Sequence, residues 1–148
     1  MNKLANLEGV RVLVAEDEYF IAFDLVEALR EAGADLVGPV ATLAEAQARF
    51  DEGGIDVAVL DMNLHGEKVF PFAERLEAQH VPYVIVSGYS RDALPLSLRS
   101  APHLEKPVAC DRIIAAVIER LAREKGWLAR KIPVAIDAID AKMPGETR

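Results

Sequence analysis

Short runs of β-branched and other apolar residues alternate along the chain with segments whose apolar residues recur every three or four positions. A short apolar run is typical of a buried strand, and the three-to-four spacing is typical of an amphipathic helix. Alternation of this kind favours a parallel sheet with helices on both faces. We therefore predict an α/β, doubly wound fold whose five parallel strands lie at 10–15, 35–40, 56–60, 83–86 and 103–105.

Capping residues and prolines mark where the predicted helices begin or fail. Thr42 and Glu45 have the spacing of a capping box, in which a hydroxyl and a carboxylate bind free N–H groups at a helix start. Pro71 suits the first turn of a helix, where its missing N–H is not needed. Pro95 and Pro102 predict that any helix between the fourth and fifth strands is short or broken.

The composition favours one compact domain. The chain has 148 residues, of which 51% are hydrophobic, and a net charge of −7. A domain commonly takes about 100–200 residues, and this apolar content is enough for a sizeable core. The acidic balance argues against nucleic acid as a partner, because phosphate backbones are bound by clustered Lys and Arg. The single cysteine, Cys110, excludes an intrachain disulfide framework and a Cys-rich zinc site.

The sequence also lacks the features of a secreted or membrane protein. Its first residues contain no long apolar stretch of the kind that signal peptides carry. No apolar run approaches the roughly 20 residues that span a bilayer. We therefore expect a cytoplasmic protein that makes no membrane contact.

Residues 127–148 lie outside the alternating pattern of residues 1–126. In this extension Ile132, Ile136, Ile139 and Met143 recur at helical spacing, which predicts a short amphipathic helix. Such a helix fits packing on its own domain, a frayed chain end, or a self-association surface that would form a homodimer. The extension is too short for a conventional DNA-binding domain.

Polar residues follow four of the predicted strands. Glu16 and Asp17 follow the first strand, Asp61 follows the third, Ser87 follows the fourth and Lys106 follows the fifth. Ligands bind outside the carboxyl ends of the strands in an open α/β sheet, so these five residues are predicted to meet at one edge. Each signal is weak alone, since acidic loops are usually just solvated, but their joint placement is specific.

The chemistry of this set points to a phosphoryl group. Three carboxylates placed together repel one another, and a divalent cation among them keeps them ionised. A donor set made only of oxygens suits Mg²⁺, which also binds phosphate oxygens and water. Lys106 adds a positive charge for an anion or for Asp61, and Ser87 adds a hydroxyl donor. A carboxylate nucleophile, a metal, a cation and a hydroxyl together make a site for phosphoryl transfer.

At these positions the sequence resembles the receiver domain of two-component response regulators. The matching segments are VLVAEDE at 12–18, VAVLDMNL at 57–64, YVIVSGY at 83–89 and LEKP at 104–107, and the likeness covers about residues 8–125. The segments around them resemble an atypical subgroup with an F-A-T-G-Y-type motif, often found as stand-alone receivers. The resemblance implies a flavodoxin-like fold with strand order 2-1-3-4-5.

The resemblance also implies a function. Asp61 would accept a phosphoryl group from a histidine kinase or a histidine phosphotransfer protein. Mg²⁺ would be bound by Glu16, Asp17, Asp61 and the backbone carbonyl of Asn63. The chain would then be a phosphoacceptor that promotes its own phosphorylation and dephosphorylation, not an enzyme in the usual sense, and it would signal by binding a downstream protein.

Further roles follow from the same resemblance. Ser87 matches the hydroxyl residue that turns toward the phosphoryl group. Lys106 matches the lysine that pairs with that group, and its bond to the next proline is often cis in the family. We expect Lys106 to be an exposed side chain that adds little to stability. His103 stands where most members carry an aromatic switch residue, and Tyr89 is a candidate to take over that role. His65 stands where the family usually has proline.

Two other functions share these residues. A metal-dependent phosphohydrolase would use Asp61 as nucleophile and usually needs a second aspartate two residues later, where this chain has Asn63. A degenerate receiver would bind partners without phosphorylation, and retention of the whole residue set weighs against it. Residues 90–102 are expected to be the most mobile segment of the receiver and to change most on phosphorylation.

Overall fold

A five-stranded parallel sheet forms the centre of the computed structural model, which describes residues 7–123. The predicted C-terminal helix of residues 127–148 lies outside the described residues. In chain order the elements are β1 (Arg11–Ala15), α1 (Tyr19–Glu31), β2 (Asp35–Val40), α2 (Leu43–Asp51), β3 (Val57–Asp61), β4 (Asn63–Leu64), β5 (Glu67–Lys68), α3 (Phe70–Ala78), β6 (Tyr83–Ser87), β7 (His103–Glu105) and α4 (Cys110–Arg123).

The order of the strands confirms the predicted doubly wound topology. The sheet runs β2-β1-β3-β6-β7, and every neighbouring pair is parallel. Strands β6 and β7 are the fourth and fifth strands of this sheet, so the order is the flavodoxin-like 2-1-3-4-5. The two short strands β4 and β5 form a separate antiparallel ribbon.

Two apolar layers cover the two faces of the sheet. Successive strand residues point to opposite faces, so Val12 and Val14 of β1 enter one layer while Leu13 and Ala15 enter the other. The first layer packs against α1 and α4, and the second packs against α2 and α3. No helix within residues 7–123 is long and apolar enough to cross a membrane.

The local signals for helix starts agree with the structure. The N–H of Glu45 donates to Thr42 Oγ1 at 3.1 Å, and the Glu45 carboxylate accepts from the N–H of Ala41 at 3.0 Å. Pro71 lies in the first turn of α3. The predicted capping box therefore sets the start of α2, although the carboxylate binds the residue before the cap.

The connection between β6 and β7 contains two 3-10 turns, Arg91–Ala93 and Leu96–Leu98, in place of an α-helix. This confirms the expectation drawn from Pro95, which lies between the two turns. Leu94 and Leu98 are buried in the layer of α2 and α3. The connection is therefore irregular but anchored to the core.

Candidate functional site

The carboxyl ends of four strands bring the predicted site residues to one edge of the sheet. Glu16 and Asp17 directly follow β1, Asp61 is the last residue of β3, and Ser87 is the last residue of β6. Lys106 directly follows β7. Glu16, Asp61 and Ser87 are buried, so water solvates their polar groups poorly and each depends on protein partners.

Three carboxylates form a cluster at this edge. Glu16, Asp17 and Asp61 each offer an oxygen, and the three oxygens lie within 4.8 Å of one another. Burial raises the pKa of Glu16 to about 7 against the lowering effect of the Glu18 N–H, and the Asp61 carboxylate adds to the rise. The cluster thus concentrates more negative charge than this buried edge readily holds.

Lys106 supplies the compensating positive charge. Its Nζ lies 3.0 Å from Glu16 Oε1 and 3.1 Å from Asp61 Oδ2, with Glu18 Oε1 at 3.5 Å. Burial disfavours the ammonium, but the two nearer carboxylates outweigh that effect and raise the Lys106 pKa. The side chain is only 16% exposed, so the expectation of an exposed lysine is wrong. The Lys106–Pro107 bond is cis.

The loop after β3 fixes the carboxylates through backbone N–H groups. Asp61 Oδ1 accepts from the N–H of Asn63 at 3.3 Å, and Asp17 Oδ2 accepts from the N–H of His65 at 2.8 Å. His65 and Gly66 both have positive φ and form the two-residue turn of the β4–β5 ribbon. The side-chain oxygen of Asn63 is buried and has no hydrogen-bond partner among residues 7–123.

Sequence reasoning did not predict this ribbon, because strands of two residues carry no alternation. The available signal was the glycine that follows His65, since glycine tolerates the positive φ of such a turn. His65 itself is exposed, and only its backbone touches the cluster.

Ser87, Tyr89 and His103 meet beside the cluster. Ser87 Oγ lies 3.0 Å from His103 Nε2, accepts from the N–H of Tyr89 at 3.1 Å and lies 3.1 Å from the Tyr89 carbonyl. The Tyr89 ring is half exposed, with Lys68 Nζ 5.2 Å from its centroid. All hydrogen bonds of the Ser87 hydroxyl within the described chain therefore point to Tyr89 and His103, not to Asp61.

An exposed aromatic patch begins one residue beyond Glu18. It consists of Tyr19, Phe20 and Phe23, which are 73%, 78% and 53% exposed. Sequence reasoning missed the patch, because the sequence alone does not show which aromatic side chains of a helix stay exposed. A pocket of about 370 Å³ lies between α1 and α4, and Glu18 and Lys106 of the site form part of its wall.

Comparison with known proteins places the chain in a family. Residues 12–118 match the model of the response regulator receiver domain. Among curated proteins the chain is similar to two transcriptional regulatory proteins of Mycobacterium tuberculosis. It is 30% identical to PdtaR over 72% of this chain and 54% of PdtaR, and 32% identical to TcrA over 96% of this chain and 56% of TcrA. The chain thus spans about half the length of these relatives.

Solved structures agree. The solution structure of SdrG from Sphingomonas melonis Fr1 has a TM-score of 0.60 and 38% identity, covering 80% of this chain and 99% of SdrG. The BeF3-activated conformation of SdrG from Pseudomonas melonis Fr1 has a TM-score of 0.62 and 36% identity, covering 79% of this chain and 99% of that one. With the family match over 12–118, these findings show that the chain belongs to the response regulator receiver domain family.

Proposed function

We propose that Asp61 accepts a phosphoryl group from a histidine kinase or a histidine phosphotransfer protein, and that the phosphorylated domain signals by binding a downstream protein. One observation carries the proposal. The Asp61 carboxylate lies between the Lys106 ammonium at 3.1 Å and the carboxylates of Glu16 and Asp17. A nucleophilic carboxylate flanked by a cation and by oxygen ligands suits phosphoryl transfer.

The residues present fit a bound Mg²⁺. Among the described residues Lys106 brings one positive charge to the three carboxylates, through contacts with Glu16 and Asp61, so the cluster carries two uncompensated negative charges when all three are ionised. At the start of the adjoining strand β4, the side-chain oxygen of Asn63 is buried and has no partner in the described part of the chain. Glu16, Asp17, Asp61 and the Asn63 backbone carbonyl would hold the ion through hard oxygen donors. When bound, Mg²⁺ offsets the negative charge on the phosphoryl oxygens.

The side chains of the site then have defined tasks. An oxygen of Asp61 attacks the phosphorus of a phosphohistidine, the P–O bond forms, the P–N bond breaks and the donor imidazole leaves with the electron pair. The Lys106 ammonium is already bound to Asp61, so it can pair with a phosphoryl oxygen without a large movement. Water later hydrolyses the acyl phosphate. Asn63 stands two residues beyond Asp61 and Tyr89 two residues beyond Ser87, so we expect both side chains to influence the lifetime of the acyl phosphate.

The aromatic patch supports a protein as the phosphoryl donor. A phosphohistidine on a protein surface can reach Asp61 only if that surface covers the rim of the site. The patch adjoins Glu18, a rim residue, and its three rings are exposed. Exposed aromatic residues grouped in this way are typical of interface anchors. We therefore place the contact with the histidine-bearing partner on Tyr19, Phe20 and Phe23.

The hydrolase alternative has less support. Asn63 stands two residues beyond Asp61, and its amide cannot exchange protons as a general acid or base. The degenerate receiver remains the second candidate, because it uses the same fold without the chemistry.

Labelling with acetyl phosphate distinguishes a phosphorylated receiver from a degenerate receiver. With Mg²⁺ and acetyl phosphate, intact mass spectrometry should show one added phosphoryl group on the wild type and none on Asp61→Asn. Asp35→Asn is the matched control, because Asp35 is the first residue of β2 and lies at the amino ends of the strands, away from the site at their carboxyl ends. A wild type that stays unlabelled by acetyl phosphate and by phosphohistidine donors would favour the degenerate receiver. Equal labelling of Asp61→Asn would assign the phosphoryl group to another residue.

A further inference from the structure

We propose that His103 is a positioning residue that holds the Ser87 hydroxyl away from Asp61 until Asp61 is phosphorylated. The inference rests on the proposed function, because Ser87 needs a phosphoryl group to turn toward. Its basis is the 3.0 Å hydrogen bond between Ser87 Oγ and His103 Nε2. Ser87 is fully buried, so water does not compete for this bond.

The sheet register explains why the two side chains meet. Ser87 pairs with Glu105 across the parallel strands β6 and β7, and His103 lies two residues before Glu105. Residues two apart on a strand share a face, so His103 projects from the same face as Ser87. Asp61 pairs with Val86, the residue before Ser87. Asp61 and Ser87 are thus the last residues of neighbouring strands and stand at the same edge of the sheet, while the hydrogen bonds of the Ser87 hydroxyl go to His103 and Tyr89.

The single proton of the Ser87 hydroxyl is engaged by these neighbours. A serine hydroxyl has one proton to donate and two lone pairs to accept with. One lone pair accepts from the Tyr89 N–H. If His103 carries its proton on Nε2, it donates to Ser87, whose own proton goes to the Tyr89 carbonyl. If the proton is on Nδ1, Ser87 donates to Nε2. In both tautomers the Ser87 proton is engaged, so donating it to a phosphoryl oxygen breaks a bond.

The state of the imidazole supports this role. Burial lowers the pKa of His103, the Arg91 charge lowers it further, and Glu105 and the Tyr89 carbonyl act in the opposite direction. The ring is therefore neutral near pH 7 and able to accept a hydrogen bond. An aromatic hydrocarbon side chain at this position would fill the space without holding Ser87. The hydrogen bond thus makes His103 a restraint on the hydroxyl, beyond its packing in the sheet.

Binding of beryllium fluoride with Mg²⁺ tests the proposal, because the complex mimics the phosphoryl group without turnover. His103→Phe removes the restraint, so binding should tighten roughly three- to tenfold, as expected for one hydrogen bond. His103→Gln keeps a hydrogen-bonding group and should bind like the wild type. Unchanged affinity in His103→Phe would overturn the proposal.

Two further experiments complete the test: the same substitution in a Ser87→Ala background, and an NMR measurement on the His103 ring. In Ser87→Ala there is no hydroxyl to restrain, so adding His103→Phe should leave the affinity unchanged. A gain as large as in the wild-type background would show that His103 acts through something else. The ¹⁵N shifts of the His103 ring, measured without fluoride, should move in Ser87→Ala, and unmoved shifts would refute the bond. This readout stands even if the wild type binds no beryllium fluoride, an outcome that counts against the proposed function.

Discussion

Lys106 stands between two buried carboxylates, so its effect on stability depends on what else neutralises them. Within residues 7–123 and without Mg²⁺, its ammonium is the cation that contacts both Glu16 and Asp61. We predict that Lys106→Ala lowers the free energy of unfolding by roughly 1–3 kcal/mol in EDTA, the cost of leaving buried polar groups unsatisfied. The loss should shrink with Mg²⁺, which replaces the missing charge. Urea unfolding of the wild type and Lys106→Ala, with and without Mg²⁺, measures both the loss and its reduction. Equal unfolding midpoints for the two proteins in EDTA would contradict the prediction.

His103 gives the domain a pH dependence whose sign follows from its lowered pKa. The unfolded chain binds the proton at the ordinary histidine pKa of about 6.5, and the folded domain binds it only at lower pH. Stability from this residue is therefore complete above about pH 6.5 and falls as the pH drops toward the folded value. Arg91 and Glu105 are the charged groups that act on the ring.

A comparison of the wild type with His103→Gln isolates the contribution of His103 to the pH dependence of stability. Urea unfolding from about pH 7 to 5 should show a shallower loss of stability in His103→Gln than in the wild type. His80→Gln changes an exposed histidine after α3 and should follow the wild type. If the stability of the wild type and of His103→Gln fell in parallel with pH, the folded and unfolded chains would bind the His103 proton equally, which would contradict the prediction.

The aromatic patch on helix α1 should affect phosphoryl transfer from a protein donor but not from a small-molecule donor. In the proposed docking a protein donor contacts the aromatic patch, while acetyl phosphate is small enough to reach Asp61 without it. We predict that Phe20→Ala slows transfer from a phosphohistidine protein roughly five- to thirtyfold, as for the loss of about 1–2 kcal/mol at an interface. Labelling by acetyl phosphate should not change. Glu27→Ala, on the same helix but outside the patch, is the control, and equal slowing with both donors would argue against a docking role.

The connection between β6 and β7 shows what local sequence signals can and cannot give. Pro95 was enough to predict a broken helix, because proline removes a donor and fixes φ. The way this connection is anchored was not predictable, since the Arg91 guanidinium donates to the carbonyls of Arg99 and Ala101, both at 2.7 Å. Such contacts depend on the fold and not on spacing. That residues 90–102 change most on phosphorylation stays a prediction.

The same distinction holds for the site. Strand ends in a parallel sheet share one edge, so topology alone was enough to bring Glu16, Asp61 and Lys106 together. Topology does not give burial, so it failed to show that Lys106 is enclosed. It also gave no sign of the Ser87–His103 hydrogen bond, which depends on two side-chain rotamers.

For the whole molecule, metal binding should be linked to folding. The carboxylates of the cluster come from the ends of β1 and β3, so the unfolded chain offers no comparable site. Ligands that bind only the folded state stabilise it, by about 2.7 kcal/mol at one hundred times Kd. We therefore predict that Mg²⁺ raises the unfolding midpoint of the wild type in a saturable way. Monovalent salt at equal ionic strength should not, because screening acts without a site.

Asp17→Ala tests whether this stabilisation belongs to the cluster. The side chain binds the His65 N–H at the surface, so its removal should leave the domain folded. We predict that the variant loses both the Mg²⁺-dependent rise in the midpoint and Mg²⁺-dependent phosphorylation by acetyl phosphate. Asp24→Ala removes an exposed carboxylate of α1 outside the cluster and should keep both. Wild-type phosphorylation of Asp17→Ala together with an unchanged midpoint shift would place the metal elsewhere, whereas a lost midpoint shift with wild-type phosphorylation would separate metal binding from the chemistry.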